Sequence, residues 1–226
     1  MQIFRPILAG AALGDRLVAG VGAALGIALT GLIAARLAGA GALPLLVAPI
    51  GASAVLVFAV PASPLAQPWP VIGGNTVSAI FGLIVVQTVP QEAIAAALAV
   101  GGAIVLMSLL RCLHPPGGAV ALSVVLMAGA HQPAGWLFPL VPVGLNSALL
   151  VVAAVAFHRW SAHAYPHRPV ATPASSAFAP EDINAALAEM HETFDIARED
   201  LDALLARAAD HAAIRRERRV RSSPRR

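Results

Sequence analysis

The chain has no lysine, a single cysteine and little charge: 12% of its 226 residues are charged. Without lysine there is no glycine loop ending in Lys-Ser/Thr to hold a nucleoside triphosphate, so that route to nucleotide-driven work is excluded. Cys112 alone can form neither an intramolecular disulfide nor a zinc cluster. So few charges also exclude an ordinary soluble domain, because a soluble surface must be far more polar. What is there is apolar, with 58% hydrophobic residues and a mean hydropathy of +0.76.

Charge is confined as well as scarce. Residues 1–160 carry only Arg5, Asp15, Arg16, Arg36, Glu92, Arg111 and Arg159, leaving uncharged runs at 17–35, 37–91, 93–110 and 112–158. A helix needs roughly 17–25 apolar residues to cross the hydrocarbon. The first and third runs hold one span each and the others two each, which predicts an all-α polytopic membrane bundle of about six transmembrane helices. The expected spans are Leu17–Leu37, Leu43–Val60, Val71–Val89, Ala93–Leu110, Leu113–Ala130 and Trp136–Phe157. Residues 1–14 read as an interfacial lead-in, since Asp15 and Arg16 interrupt any short signal-peptide core. Six crossings from a cytoplasmic N-terminus place Arg5, Arg16, Arg111 and Arg159 inside and Arg36 outside, as the positive-inside rule requires. Were Leu113–Ala130 re-entrant, the tail would instead lie outside. The net charge of +3 gives little support to nucleic-acid binding, because residues 161–226 balance ten arginines against ten acids.

The two halves of the membrane region resemble each other. Pro49-Ile50-Gly51-Ala52-Ser53-Ala54 is matched by Pro115-Pro116-Gly117-Gly118-Ala119-Val120, and Gly73-Gly74-Asn75-Thr76 by Gly144-Leu145-Asn146-Ser147. Three helices per half is an odd number, so the halves of such a 3+3 repeat would be inverted, as in many transporters. Prolines 49, 115 and 116 then act as structural helix breaks, each leaving a half-helix whose free N–H groups suit a small anion. Close packing by small residues explains the same glycines equally well.

Leu113-His114-Pro115-Pro116-Gly117-Gly118-Ala119 resembles the signature of the HPP family of integral membrane proteins. The 49–56 block and the segment Pro61–Pro68 with Val71–Asn75 are similar to two further blocks of that family, and the likeness covers about residues 10–160. It implies a bacterial inner-membrane protein with both termini cytoplasmic and an anion-transport role, nitrite foremost, because relatives in chloroplasts and cyanobacteria are associated with nitrite. The pair of regulatory CBS-type domains carried by many bacterial members has no counterpart in these 226 residues.

The expected substrate ligands are His114, Asn75, Asn146, Ser53, Gly51, Gly117, Gly118 and Arg111. His114 could donate to an anion or carry a proton, or it could merely bond a carbonyl freed by the prolines. Arg111 could attract an anion or simply mark orientation. Asn75 and Asn146 could bind substrate or clamp a neighbouring helix. Ser53 and His114 also suggest a hydrolase, but Gly51-Ala52-Ser53-Ala54 lacks the final glycine of a nucleophile elbow and no acid in the spans orients the histidine. No enzymatic activity, cofactor or metal is expected. The Pro-rich 61–70 segment must be packed on protein or in water.

The domains read as a membrane region over 1–160, a Pro/Ser/Ala linker over 161–179 and a cytoplasmic helical tail over 180–226. One tail helix starts at Pro180 with stripe Ile183, Leu187 and Met190; a second starts near Asp195 with Leu201, Leu204, Leu205 and Ala208. These stripes need a partner: each other, the bundle, or a second subunit of a homo-oligomer. The seven arginines of 211–226 suit anionic lipid. The expectation is therefore a passive or ion-coupled carrier of a small anion, contacting membrane lipid. The alternative is a non-transporting scaffold or sensor whose tail docks a partner.

Overall fold

A computed structural model describes residues 12–38, 46–161, 163–169, 178–190 and 193–222. The described residues form helices and turns only. They are α1 (Leu13–Ala38), α2 (Pro49–Ala59), α3 (Asn75–Thr88), α4 (Glu92–Leu109), α5 (Pro115–Gly129), α6 (Leu145–His158), α7 (Pro180–Met190) and α8 (Arg198–Ser222). Turns of π type at Pro70–Gly74 and Pro139–Gly144 lead directly into α3 and α6, the second interrupted at Val141, whose backbone is extended. Each half thus runs long helix, short proline-led helix, then long helix opened by a wide turn.

Four of these helices are long and apolar enough to cross a membrane: Leu13–Leu37, Pro70–Thr88, Glu92–Leu109 and Pro139–His158. The other two expected spans, Leu43–Val60 and Leu113–Ala130, appear as helices of only 11 and 15 residues. At 1.5 Å per residue these reach about 16 and 22 Å, less than the roughly 30 Å hydrocarbon core. Proline sets both starts. Pro49 and Pro115 stand in the first turn, where a missing N–H removes no helical bond. They therefore begin helices rather than break them. Residues 1–11, including Arg5, and the start of the second expected span lie outside the described residues.

Side-chain bonds show which helix ends lie together. Arg16 Nη1 donates to the Ala59 carbonyl at 2.8 Å and His158 Nε2 to the Val57 carbonyl at 2.9 Å. The start of α1 and the ends of α2 and α6 therefore meet. The Trp69 indole donates to the Leu110 carbonyl at 3.2 Å, joining the start of the 70–88 helix to the end of α4. At the other end of α4, Glu92 lies against Gly129, the last residue of α5; a Cβ there would sit 2.5 Å from its Oε2. Successive helices therefore run in alternating directions.

Two larger apolar clusters, with a smaller one of Ala79, Val120 and Val143, hold the bundle. Ile50, Val57, Phe58, Val71, Leu150 and Ala154 join α2 to α6; Ala95, Ala99, Ala103, Met107, Ala121 and Val125 join α4 to α5. Alanine dominates the second because helices in lipid gain by close backbone approach rather than by hiding apolar surface from water. The outward faces carry Leu17, Leu25, Leu32, Leu98, Val105 and Val152, all exposed, as a lipid-facing surface should.

The bundle unit extends to His167, beyond the expected boundary at residue 160. Tyr165 is buried and its hydroxyl donates to the Ala66 carbonyl at 2.8 Å, so the first part of the expected linker is packed on the bundle. The second unit, 168–226, pairs α7 with α8. Its anchor is Arg198, which bonds Asn184, the Pro180 carbonyl and Asp202. Ile183, Ala203 and Ala206 are buried there, whereas Met190, Leu204 and Ala208 are exposed. The expected α8 stripe is thus displaced around the helix, because Arg198 fixes which face meets α7.

Candidate functional site

Carbonyls left without helical donors organise the interior. Val57 lies four residues before Pro61, which has no N–H to complete the helical bond, and His158 supplies one instead. Leu65 sits in a 3-10 turn whose i+3 residue is Pro68, again without a donor; His114 Nδ1 lies 2.8 Å from its carbonyl. Gln67 Nε2 serves the carbonyls of Pro61 at 2.9 Å and Ser63 at 2.7 Å. Of the two places the sequence allowed the proline-rich segment, protein or water, these bonds pack it on protein.

Around His114 these bonds continue into a buried polar cluster. A carbonyl can only accept, so the Leu65 bond assigns a hydrogen to Nδ1 of His114. In the neutral ring Nε2 is then an acceptor, and the Ser53 hydroxyl, 2.8 Å away, donates to it. Ser53 Oγ in turn accepts from the Asn75 amide at 3.2 Å. The same amide nitrogen donates to Ser147 Oγ at 3.1 Å, and the Ser147 hydroxyl donates to the Val143 carbonyl at 2.9 Å. Ser53, Asn75, His114, Asn146 and Ser147 are each 0% exposed. One chain of bonds thus links the middle of α2 and the first turns of α3 and α6 to the residue that precedes α5.

Local sequence explains each position. His114 precedes Pro115 and is forced into an extended backbone, φ −141° and ψ 108°, which turns its ring away from α5. Gly74 and Gly117 allow the approach. A Cβ on Gly74 would lie 2.6 Å from the Cys112 carbonyl oxygen and 2.7 Å from His114 Cβ. On Gly117 it would lie 2.7 Å from Ser78 Oγ and 2.8 Å from Met107 Sδ. Two buried polar atoms beside this junction have no hydrogen-bond partner among the described residues: Asn75 Oδ1 and Ser78 Oγ.

Not every expected ligand is brought to the cluster. Gly51 is exposed, with nothing within 4 Å of an added Cβ. It sits two residues before Ser53, about 200° around the helix, and so faces outward. Gly118 faces Val100 on α4. Arg111 is exposed in a left-handed turn with φ 53° after α4, away from the buried atoms. His114 is also not the only histidine inside the bundle, because His158 is 5% exposed. The signal for it lay in Pro61, which deprives Val57 of a donor. Ser147 joins the cluster and Ser78 flanks it, neither being among the expected ligands.

Ser53 and His114 have the spacing of a nucleophile and its base. However, the ring is oriented by a backbone carbonyl rather than a carboxylate, and the pair is sealed from solvent. The arrangement is better suited to holding or passing a proton than to attacking a substrate.

Residues 9–166 match the family model described as HPP, transmembrane region. Two transmembrane proteins of Dictyostelium discoideum are similar to this chain. One is 43% identical over 108 residues, covering 46% of this chain and 34% of the relative. The other is 40% identical over 131 residues, covering 56% and 45%. The chain therefore matches less than half the length of either relative. No solved structure matches.

Proposed function

The chain belongs to the HPP transmembrane family, and from that premise we propose that it carries a small inorganic anion across the membrane, with nitrite the first candidate. One observation carries this reading: the middle of α2 and the residue that precedes α5 meet through Ser53 and His114 in a buried polar cluster within an otherwise apolar bundle. Buried polar and ionisable groups are expensive in a membrane and belong to transport paths more often than to packing. The start of α5, next to His114, directs the positive end of its dipole towards this region, and a small anion suits such a place.

The reading takes the chain as six crossings of an inverted 3+3 repeat. The alternating helix directions support it, as does the repeated order of long helix, proline-led short helix and helix opened by a wide turn. In this arrangement α2 and α5 are equivalent short helices. Arg16, Arg111 and Arg159 then share one face, which the positive-inside rule makes cytoplasmic. The cytoplasmic face of a bacterial inner membrane follows from that orientation and from the family resemblance.

The test is flux. Purified protein in proteoliposomes is expected to move nitrite faster than protein-free vesicles, and His114→Ala to lower that rate. Well-folded protein that moves none of nitrite, nitrate or chloride would overturn the proposal.

A further inference from the structure

Resting on that reading, we propose that the His114–Ser53–Asn75 chain is a proton-operated switch that creates the anion site only when His114 is charged, making transport proton-coupled. The argument begins with the direction of the bonds. With Nδ1–H committed to the Leu65 carbonyl, the amide hydrogens of Asn75 go to Ser53 and Ser147, and the Ser53 hydrogen goes to Nε2 at 2.8 Å rather than to the more distant Pro49 carbonyl at 3.4 Å. The atom left over is Asn75 Oδ1, buried and without a donor. A bare carbonyl oxygen repels an anion. In the neutral state the cluster is therefore closed to nitrite.

A proton arriving from water at Nε2 reverses the chain. Nε2 becomes a donor to Ser53 Oγ, and the Ser53 hydrogen must leave it. Two acceptors are within reach: the Pro49 carbonyl at 3.4 Å, a long bond, and the Asn75 amide at 3.2 Å. Turning the amide over places Oδ1 where it accepts from Ser53 and, once the Ser147 hydroxyl turns from the Val143 carbonyl, from Ser147, and swings the NH2 group to the position Oδ1 had held. That position then presents N–H donors, with the Ser78 hydroxyl, three residues along α3, also unpartnered. The only covalent change is the gain of one N–H bond at Nε2. The imidazolium balances the charge of the anion, and both leave together when the proton departs.

Nothing else close by can take the proton's place. α2, α3, α5 and the 64–66 turn carry no charged or acidic residue. The nearest titratable groups in the chain are the buried Cys112 thiol and the exposed Arg111. Glu92 stands at the far end of α5, against Gly129, and His158 is bonded to Val57 and Ser161. Linkage is reciprocal: if the proton strengthens anion binding by some factor, about 5–150-fold for typical couplings, the anion strengthens proton binding equally.

Two measurements with sodium nitrite as the probe decide this. In detergent at low buffering, nitrite binding to the wild-type protein is expected to take up about one proton per anion. In proteoliposomes with an internal pH dye, after subtraction of nitrous-acid leak in protein-free vesicles, nitrite entry is expected to acidify the interior and build no membrane potential. His114→Asn, whose amide can keep the Leu65 bond, is expected to lose the proton uptake and most of the flux. Nitrite that binds or moves without a proton, or His114→Asn that keeps the coupling, overturns the switch while leaving the anion carrier intact. Folded protein that moves no anion overturns the carrier and the switch with it.

Discussion

Replacing His114 by alanine should cost the bundle more than a buried histidine usually would, because two partners lose their bond at once. The Leu65 carbonyl has no alternative donor, since its i+3 residue is Pro68. An orphaned acceptor of this kind costs about 1–3 kcal/mol. Removing a ring that is 0% exposed also leaves a void among close-packed neighbours, adding about 1–2 kcal/mol after partial collapse. Ser53 retains Asn75 and a long bond to Pro49, so its share is small. The total of about 2–5 kcal/mol corresponds to a fall in midpoint of about 4–20 °C for a chain of this size. His114→Asn keeps a donor near the Nδ1 position and should lose about half as much. The protein supplies its own reporter: Cys112 is the sole cysteine, buried, two residues from the substitution. A thiol-reactive dye therefore reads unfolding at the site itself. Equal midpoints for wild type and His114→Ala, or equal losses for His114→Asn and His114→Ala, would refute the assignment of the Nδ1 bond.

Three further outcomes follow from the packing. Gly117→Ala should destabilise by about 1–3 kcal/mol through overpacking against Ser78, Met107 and the Gly74 carbonyl, whereas Gly51→Ala, with open space around it, should be neutral or stabilise by up to about 1 kcal/mol; the same thiol assay ranks them. His158→Ala should cost about 1–3 kcal/mol by orphaning the Val57 carbonyl, read as a lower midpoint, and His158→Phe should not restore it although the ring stack on Phe58 survives. Burial pushes the Tyr165 phenol above its ordinary range, so the unfolded chain loses that proton first and stability should fall as the pH rises past about 10. Tyr165→Phe should flatten that slope in a pH series of unfolding midpoints.

Much of this was legible along the chain, and the exceptions share one cause. Four long spans and the exclusion of the 61–70 segment from lipid follow from local rules of charge, length and backbone chemistry. The shortness of α2 and α5 was hidden because an apolar run records what can lie in lipid, not where helical bonding stops. The displaced stripe on α8 was hidden for a related reason: which face is buried depended on Arg198 reaching α7. Gly51 was overvalued because its motif, rather than its angle from Ser53, was read.

By itself, the sequence determined that this chain lives in a membrane as an all-helical bundle, since charge scarcity and run length act through the solvent and need no contact. Only the tertiary structure decided which polar atoms meet. Ser53 and His114 are 61 residues apart, and Asn75 and Ser147 are 72 apart. Hydrogen bonds form across a few ångströms, and those distances are set by how helices from the two halves pack.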